Sequence, residues 1–172
     1  MNTKQIEKLA SDILDEFHIE KLPIPIETIV KKRGLEIKAY DLGEDVSGAL
    51  VIKDGKGTIG YNPTESKVRQ RFTIAHELGH YELHKNDNGL FIDKDFKVMF
   101  RDHNSSTGEF LMEQEANAFA AAILMPEKLL KVEMKRRYFD FSDDTSFKDL
   151  AKLFNVSVPA ITYRIGNLNL FK

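Results

Sequence analysis

The residues that could do chemistry concentrate in R-Q-R-F-T-I-A-H-E-L-G-H-Y-E-L-H, residues 69–84, where His76, Glu77 and His80 stand in the order H-E-x-x-H. Imidazole nitrogens bind divalent metal ions. Histidines four residues apart lie one turn apart on one side of a helix, so both can reach a single ion. Glu77 projects about 100° further around the helix, given ~3.6 residues per turn. Its carboxylate then stands beside the metal, within reach of a bound water, without being a ligand. The helix itself is predicted by Val68, Phe72, Ala75, Leu78 and Gly79, which recur at the three- and four-residue steps of one buried face.

Zinc in a hydrolase takes three protein ligands and keeps one position open for water. The chain has no cysteine, so disulfides and thiolate ligands are excluded and the ligands must be His, Asp or Glu. His84 lies two turns beyond His76, about 12 Å along the axis at ~1.5 Å per residue, too far to share the ion on a straight helix. Residues 109–125, E-F-L-M-E-Q-E-A-N-A-F-A-A-A-I-L-M, predict a second helix ended by Pro126. Ala116, Phe119, Ala120, Ile123 and Leu124 make its buried stripe. Glu113 falls on that stripe, whereas Glu115 points away from it. A carboxylate among small apolar residues is costly to bury unless paired or metal-bound, so Glu113 is the expected third ligand and Glu115 the alternative. Asn117, one turn on, is placed to hydrogen-bond a ligand imidazole and hold its tautomer. The alanine run lets the two helices approach closely.

Other elements must position this pair. Ile6, Leu9, Ala10, Ile13, Leu14 and Phe17 predict a helix over residues 3–18, ended by His18. After Pro23 and Pro25, residues 26–32 restart as a short helix closed by Gly34. Residues 35–40 alternate as a half-buried strand, and 46–52 with 58–61 flank D-G-K-G as a hairpin. Asn62-Pro63-Thr64 breaks the second strand and is expected to cap the motif helix. The strand just before that helix is the expected edge for an extended peptide substrate to pair with. Periodicity fades over residues 85–107: K-N-D-N-G reads as a turn, 96–100 as a short strand, the rest as polar loop. Such a segment beside a catalytic helix is expected to be a lid or cleft wall that restrains the enzyme. Its Asp93, Asp95, Asp102 and His103 read as solvated loop residues.

Residues 146–170 read as two short helices around a turn. Leu150, Ala151, Phe154, Val156, Ala160, Ile161 and Ile165 supply the apolar spacing, Asn155 a left-handed turn residue and Ser157 a cap. This is helix-turn-helix spacing. Yet the second helix offers only Arg164 as a strong cation, too little for phosphate binding, so a structural pair is favoured over a DNA reader.

At 172 residues, with 42% hydrophobic and 30% charged residues and a net charge of −2, the chain is an ordinary globular protein with no overall basic character. The N-terminus is no signal peptide and no apolar run reaches ~20 residues, so a cytoplasmic location is the default.

The motif helix, preceded by Tyr61-Asn62-Pro63 and followed by E-Q-E-A-N-A-F-A-A-A-I-L-M-P, resembles the ImmA/IrrE family of metallo-endopeptidases over roughly residues 59–126. The two motifs in this order are far more specific than H-E-x-x-H alone. The resemblance implies a zincin-like α+β fold, with Zn2+ held by His76, His80 and Glu113 and with Glu77 as catalytic carboxylate. It also implies a protein substrate, a helix-turn-helix repressor of a phage, mobile element or stress regulon. The expected organisation is a peptidase domain over 1–135, a small antiparallel sheet packed on helices, and a helix-turn-helix-like extension over 136–172 packed on it. The donor to the reaction's oxyanion stays open among Tyr61, Tyr81, His84 and His103. The alternative function is a DNA-binding or metal-sensing regulator without turnover. Glu77 favours the enzyme, because a purely structural metal site has no use for a base.

Overall fold

The computed structural model describes residues 1–43, 46–84, 89–94 and 107–170, with the backbone alone at 89, 92–94 and 107. Among these residues the chain forms seven helices and a four-stranded sheet, a mixed α+β arrangement. Helix α1 (Thr3–Glu16) opens with a reciprocal cap between Asn2 and Gln5 and buries Ile6, Ala10, Ile13 and Leu14. It stops where His18 takes a left-handed conformation, φ 53°. Helix α2 (Ile26–Lys32) ends before Gly34, whose φ of 78° suits a residue with no side chain.

Strands β1 (Glu36–Ala39), β2 (Val46–Lys53) and β3 (Lys56–Tyr61) follow. Asp54 and Gly55, at φ 51° and 73°, make the tight turn of the β2–β3 hairpin; two positive φ values match the right-handed twist of its strands. The sheet order is β1-β3-β2-β4, where β4 spans Gly89–Lys94. Two expectations change here. The sheet is mixed rather than antiparallel, because β1 runs parallel to β3 from Glu36↔Thr58 to Ala39↔Tyr61. And β3, expected as the free edge, is an inner strand; among the described residues β1 and β4 are the edges. The sequence reading placed no strand at 89–94, and its proposed strand at 96–100 lies outside the described residues.

One face of the sheet buries Leu50, Ile52 and Ile59, while Tyr40, Val51 and Leu90 remain exposed on the chain's surface. Packed against β2 and β3 is α3 (Lys67–His84), the motif helix. Its start differs from expectation. Asn62 Oδ1 accepts from Thr64 N at 3.0 Å and Thr64 Oγ1 at 2.7 Å, a self-contained turn. The helix begins later, with Ser66 Oγ accepting from Arg69 N at 3.4 Å. Across α3 lies α4 (Thr107–Leu124), the second motif helix, with α1 on its other side.

After Pro126 come α5 (Glu127–Arg136), α6 (Asp144–Phe154) and α7 (Val158–Asn167). Between the last two, Asn155 is left-handed at φ 53° and Ser157 Oγ accepts from Ala160 N at 3.2 Å, the turn chemistry read from the sequence. Leu150, Phe154, Ile161 and Ile165 join the same apolar core as Ile13 and Ile74. Two arginines fasten this pair. Arg71 of α3 donates to the carbonyls of Asn155 (3.2 Å) and Ile24 (2.9 Å). Arg164, 5% exposed, donates through Nε to Met125 O at 3.0 Å and grips both carboxylate oxygens of Glu7. No helix among the described residues is long and apolar enough to cross a membrane.

Candidate metal centre

Three side chains from two helices converge. His76 and His80, each 1% exposed, bring their Nε2 atoms to 3.0 Å of one another. Glu113 of α4 sets Oε2 at 3.2 Å from His76 Nε2 and Oε1 at 3.1 Å from His80 Nε2. Among the described residues, these three have donor atoms that all lie within 4.8 Å of one another. The spacing is a test of whether a metal fits. Nitrogen and oxygen ligands about 2.0–2.1 Å from a tetrahedral divalent ion stand ~3.3 Å apart. The observed triangle is within a few tenths of an ångström of that. The donor set also suits a borderline ion such as zinc.

Close approach of the helices makes the triangle possible. A Cβ on Gly79 would meet Ala116 O at 3.1 Å, Phe119 Cδ1 at 3.1 Å and Ala116 Cα at 3.2 Å. Glycine on α3 thus lets α4 come near enough for its carboxylate to reach histidines on the neighbouring helix. Burial pushes the Glu113 carboxyl up, but hydrogen bonds and charge from His76 and His80 outweigh it and hold its pKa down at about 2. The group is an anion at neutral pH, as a cation ligand must be.

The two histidines are held by different means. His76 Nδ1 lies 3.1 Å from Asn117 Oδ1, so the amide oxygen can accept from Nδ1–H and leave Nε2 to present its lone pair to a metal ion in place of Glu113. His80 is sandwiched by contacts instead: its ring stacks on Phe91 at 4.9 Å and 21°, and meets His76 edge-on at 4.7 Å. Glu77 is fully buried on the sheet side of the helix. A Cβ on Gly48 would come within 3.0 Å of Glu77 Oε1 and 2.3 Å of Thr73 Cγ2, so this glycine of β2 makes the space the carboxylate occupies. Gly48 adjoins a register irregularity between β2 and β4.

The other sequence candidates separate in space. Glu115 is outside the triangle; it pairs with the Met1 ammonium and stands 3.5 Å from His84 Nε2. His84 keeps away from the triangle as helix geometry predicts, its ring 5.7 Å from that of His80. Burial, then the neighbouring His80, lowers the His84 pKa, and a hydrogen bond to the Met112 backbone acts the other way. Tyr81 packs near Gly57, at the opposite end of the β2–β3 ladder from Gly48. Tyr61 stands in register with Gly48 itself. Asp93 belongs to β4, and Asp95, Asp102 and His103 lie outside the described residues. Sequence reasoning missed Gly48 and Phe91. A signal existed for Phe91 in the β-rich run L-F-I after the glycine turn; for Gly48 there was none, because its role is a contact between distant segments.

A helix-borne H-E-x-x-H facing a carboxylate from a second helix, beside a small sheet, defines the zincin-like class of metallopeptidases. Residues 30–166 match the family described as the IrrE N-terminal-like domain, peptidase M78, and the chain belongs to that ImmA/IrrE family of metalloproteases. It is 29% identical over 137 residues to Metallopeptidase ImmA of Bacillus subtilis, covering 78% of this chain and 73% of that one. It is 36% identical over 107 residues to the radiation response metalloprotease IrrE of Deinococcus radiodurans, covering 60% of this chain and 29% of that longer protein. A solved structure of a Mycobacterium tuberculosis transcriptional regulator aligns with a TM-score of 0.62 at 17% identity, over 94% of this chain and 46% of that one. That last likeness concerns the fold alone.

Proposed function

We propose that this metalloprotease is a zinc endopeptidase in which His76, His80 and Glu113 hold the ion and Glu77 is the general base. The observation that carries the proposal is the triangle of donors 3.0–3.2 Å apart, built by two buried histidines and a carboxylate. A zinc ion held there supplies Lewis acidity, acidifying water and polarising a peptide carbonyl. Asn117 keeps His76 in the tautomer that presents Nε2, and Phe91 keeps the His80 ring in place. Glu77 accepts a proton on a carboxylate oxygen from the attacking water and returns it to the leaving nitrogen. Its carboxylate is fully buried in the space that Gly48 leaves open.

The substrate is an extended segment of another protein. Among the described residues, strand β4 is the sheet edge beside the site, through Phe91 on His80, and takes over the pairing role that sequence reading gave to β3. We further propose that the target is a helix-turn-helix repressor of a phage, mobile element or stress regulon, cut in the cytoplasm. This rests on the family. Residues 136–172 then form an extension of a peptidase domain over 1–135. The engagement of Arg164 with Glu7 and Met125 leaves the one strong cation of α7 occupied, which argues against direct DNA binding.

The test is Glu77→Gln. It is expected to retain about one zinc per chain by metal analysis and to lose cleavage by at least ~100-fold, as removal of a general base does. Undiminished proteolysis by this variant would sink the mechanism.

A further inference from the structure

Between the first turns of α3 and the α6–α7 turn lies a cavity of about 290 Å3, lined by Ser66, Val68, Arg69, Phe72, Val156, Ser157 and Ala160. None of these is a residue of the metal triangle, but one wall, Phe72, lies a single helical turn before His76 on α3. Arg69, Phe72 and His76 lie at i, i+3 and i+7, one stripe of the helix. The Phe72 ring, a wall of the cavity, sits 6.4 Å from the ring of His76.

The lining is apolar in effect. Val68, Phe72, Val156 and Ala160 present hydrocarbon, and the Ser157 hydroxyl is engaged in capping α7. Arg69 is held over the Phe72 face at 5.9 Å, donating to Ser47 Oγ at 2.9 Å and lying 3.7 Å from Glu65 Oε1. The mouth is therefore preformed, and little ordering cost falls on whatever enters. The volume is at the bottom of the range for small-molecule sites, about 300–1,000 Å3, and fits one large side chain better than a free ligand.

We propose that this cavity is a specificity pocket for an apolar side chain of the peptide substrate, walled on one side by the C-terminal helical pair. The proposal rests on the endopeptidase reading above and adds what the enzyme selects. Position along the substrate follows from length. Phe72 and Arg69 precede His76 by four and seven residues, about 6–10 Å of helix at ~1.5 Å per residue. An extended peptide advances about 3.3 Å per residue, so the pocket receives a residue two or three places from the cut bond. The helix-turn-helix spacing of the last two helices then serves peptide selection.

The probe is a positional library of fluorogenic decapeptides, cleaved by zinc-loaded wild type, Ala160→Phe and Val68→Ala. Binding of the same peptides to zinc-loaded Glu77→Gln, with and without each change, is read by anisotropy. Wild type is expected to prefer Leu, Ile or Phe over Ala or Asp by about tenfold or more at one position two or three residues from the cut, as a fitted apolar pocket gives. Filling the pocket with Ala160→Phe should erase that preference by raising KM for the bulky peptides at unchanged kcat. Deepening it with Val68→Ala should move the preference to larger side chains. Zinc content and melting temperature report folding; if Ala160→Phe does not fold, the opposite shift in Val68→Ala still decides. A preference unaltered by both changes overturns the pocket. Absent cleavage with the binding preference intact sinks the endopeptidase reading and leaves the pocket standing.

Discussion

Gly79→Ala touches no ligand, yet it should damage the metal centre, and the size of the effect can be worked from contacts. The added methyl would lie 3.1 Å from Ala116 O and Phe119 Cδ1 and 3.2 Å from Ala116 Cα. Carbon contacts are comfortable at about 3.5–4.0 Å, so α3 and α4 must part by ~0.4 Å. Both histidines ride on α3 and Glu113 on α4, so the carboxylate is the donor that withdraws. Metal–ligand lengths tolerate only about ±0.2 Å, which makes the expected parting larger than the site absorbs. Zinc affinity should fall on the order of 10–100-fold, the scale seen when groups that position ligands are lost. The metal-free fold should suffer less. Overpacking costs about 1–3 kcal/mol, and alanine's advantage over glycine inside a helix offsets ~1 kcal/mol of it. The assay is chelator competition for zinc, paired with thermal melting of apo and loaded protein. Zinc affinity equal to wild type in a folded variant would refute the claim that helix spacing, set by this glycine, sets the site.

Two further outcomes follow from single contacts. Asn117→Ala frees the His76 Nδ1 that lies 3.1 Å from the amide, and should weaken zinc binding by about tenfold or more while the apo melting temperature hardly moves; equal affinity would show that the amide does not hold the tautomer. Arg164→Met removes a buried guanidinium that ties α7 to Glu7 and Met125, leaving a half-buried carboxylate unpaired. It should cost about 3 kcal/mol in chemical denaturation, with no change in DNA retention at low salt. A loss of DNA binding with stability unchanged would reverse the assignment of this residue.

Much of the chemistry was determined by local sequence. H-E-x-x-H and the alanine-rich stripe carrying Glu113 are helical patterns, and 3.6-residue periodicity alone says which side chains share a face. It therefore set Glu113, not Glu115, toward the histidines and kept His84 away from them. The last two helices were equally legible, because the left-handed Asn155 and the Ser157 cap are features of a few consecutive residues. What only the tertiary structure decided are meetings between distant segments. Strand pairing is one: parallel β1 against β3, and β4 beside β2, obey no local period. Gly48 opening space for Glu77, Phe91 stacking on His80 and Arg164 spent on Glu7 are others. A helix carries its own hydrogen bonds within a turn, so its faces can be read from spacing. A sheet partner or a packing contact is chosen by the whole chain's burial, and no short stretch records it.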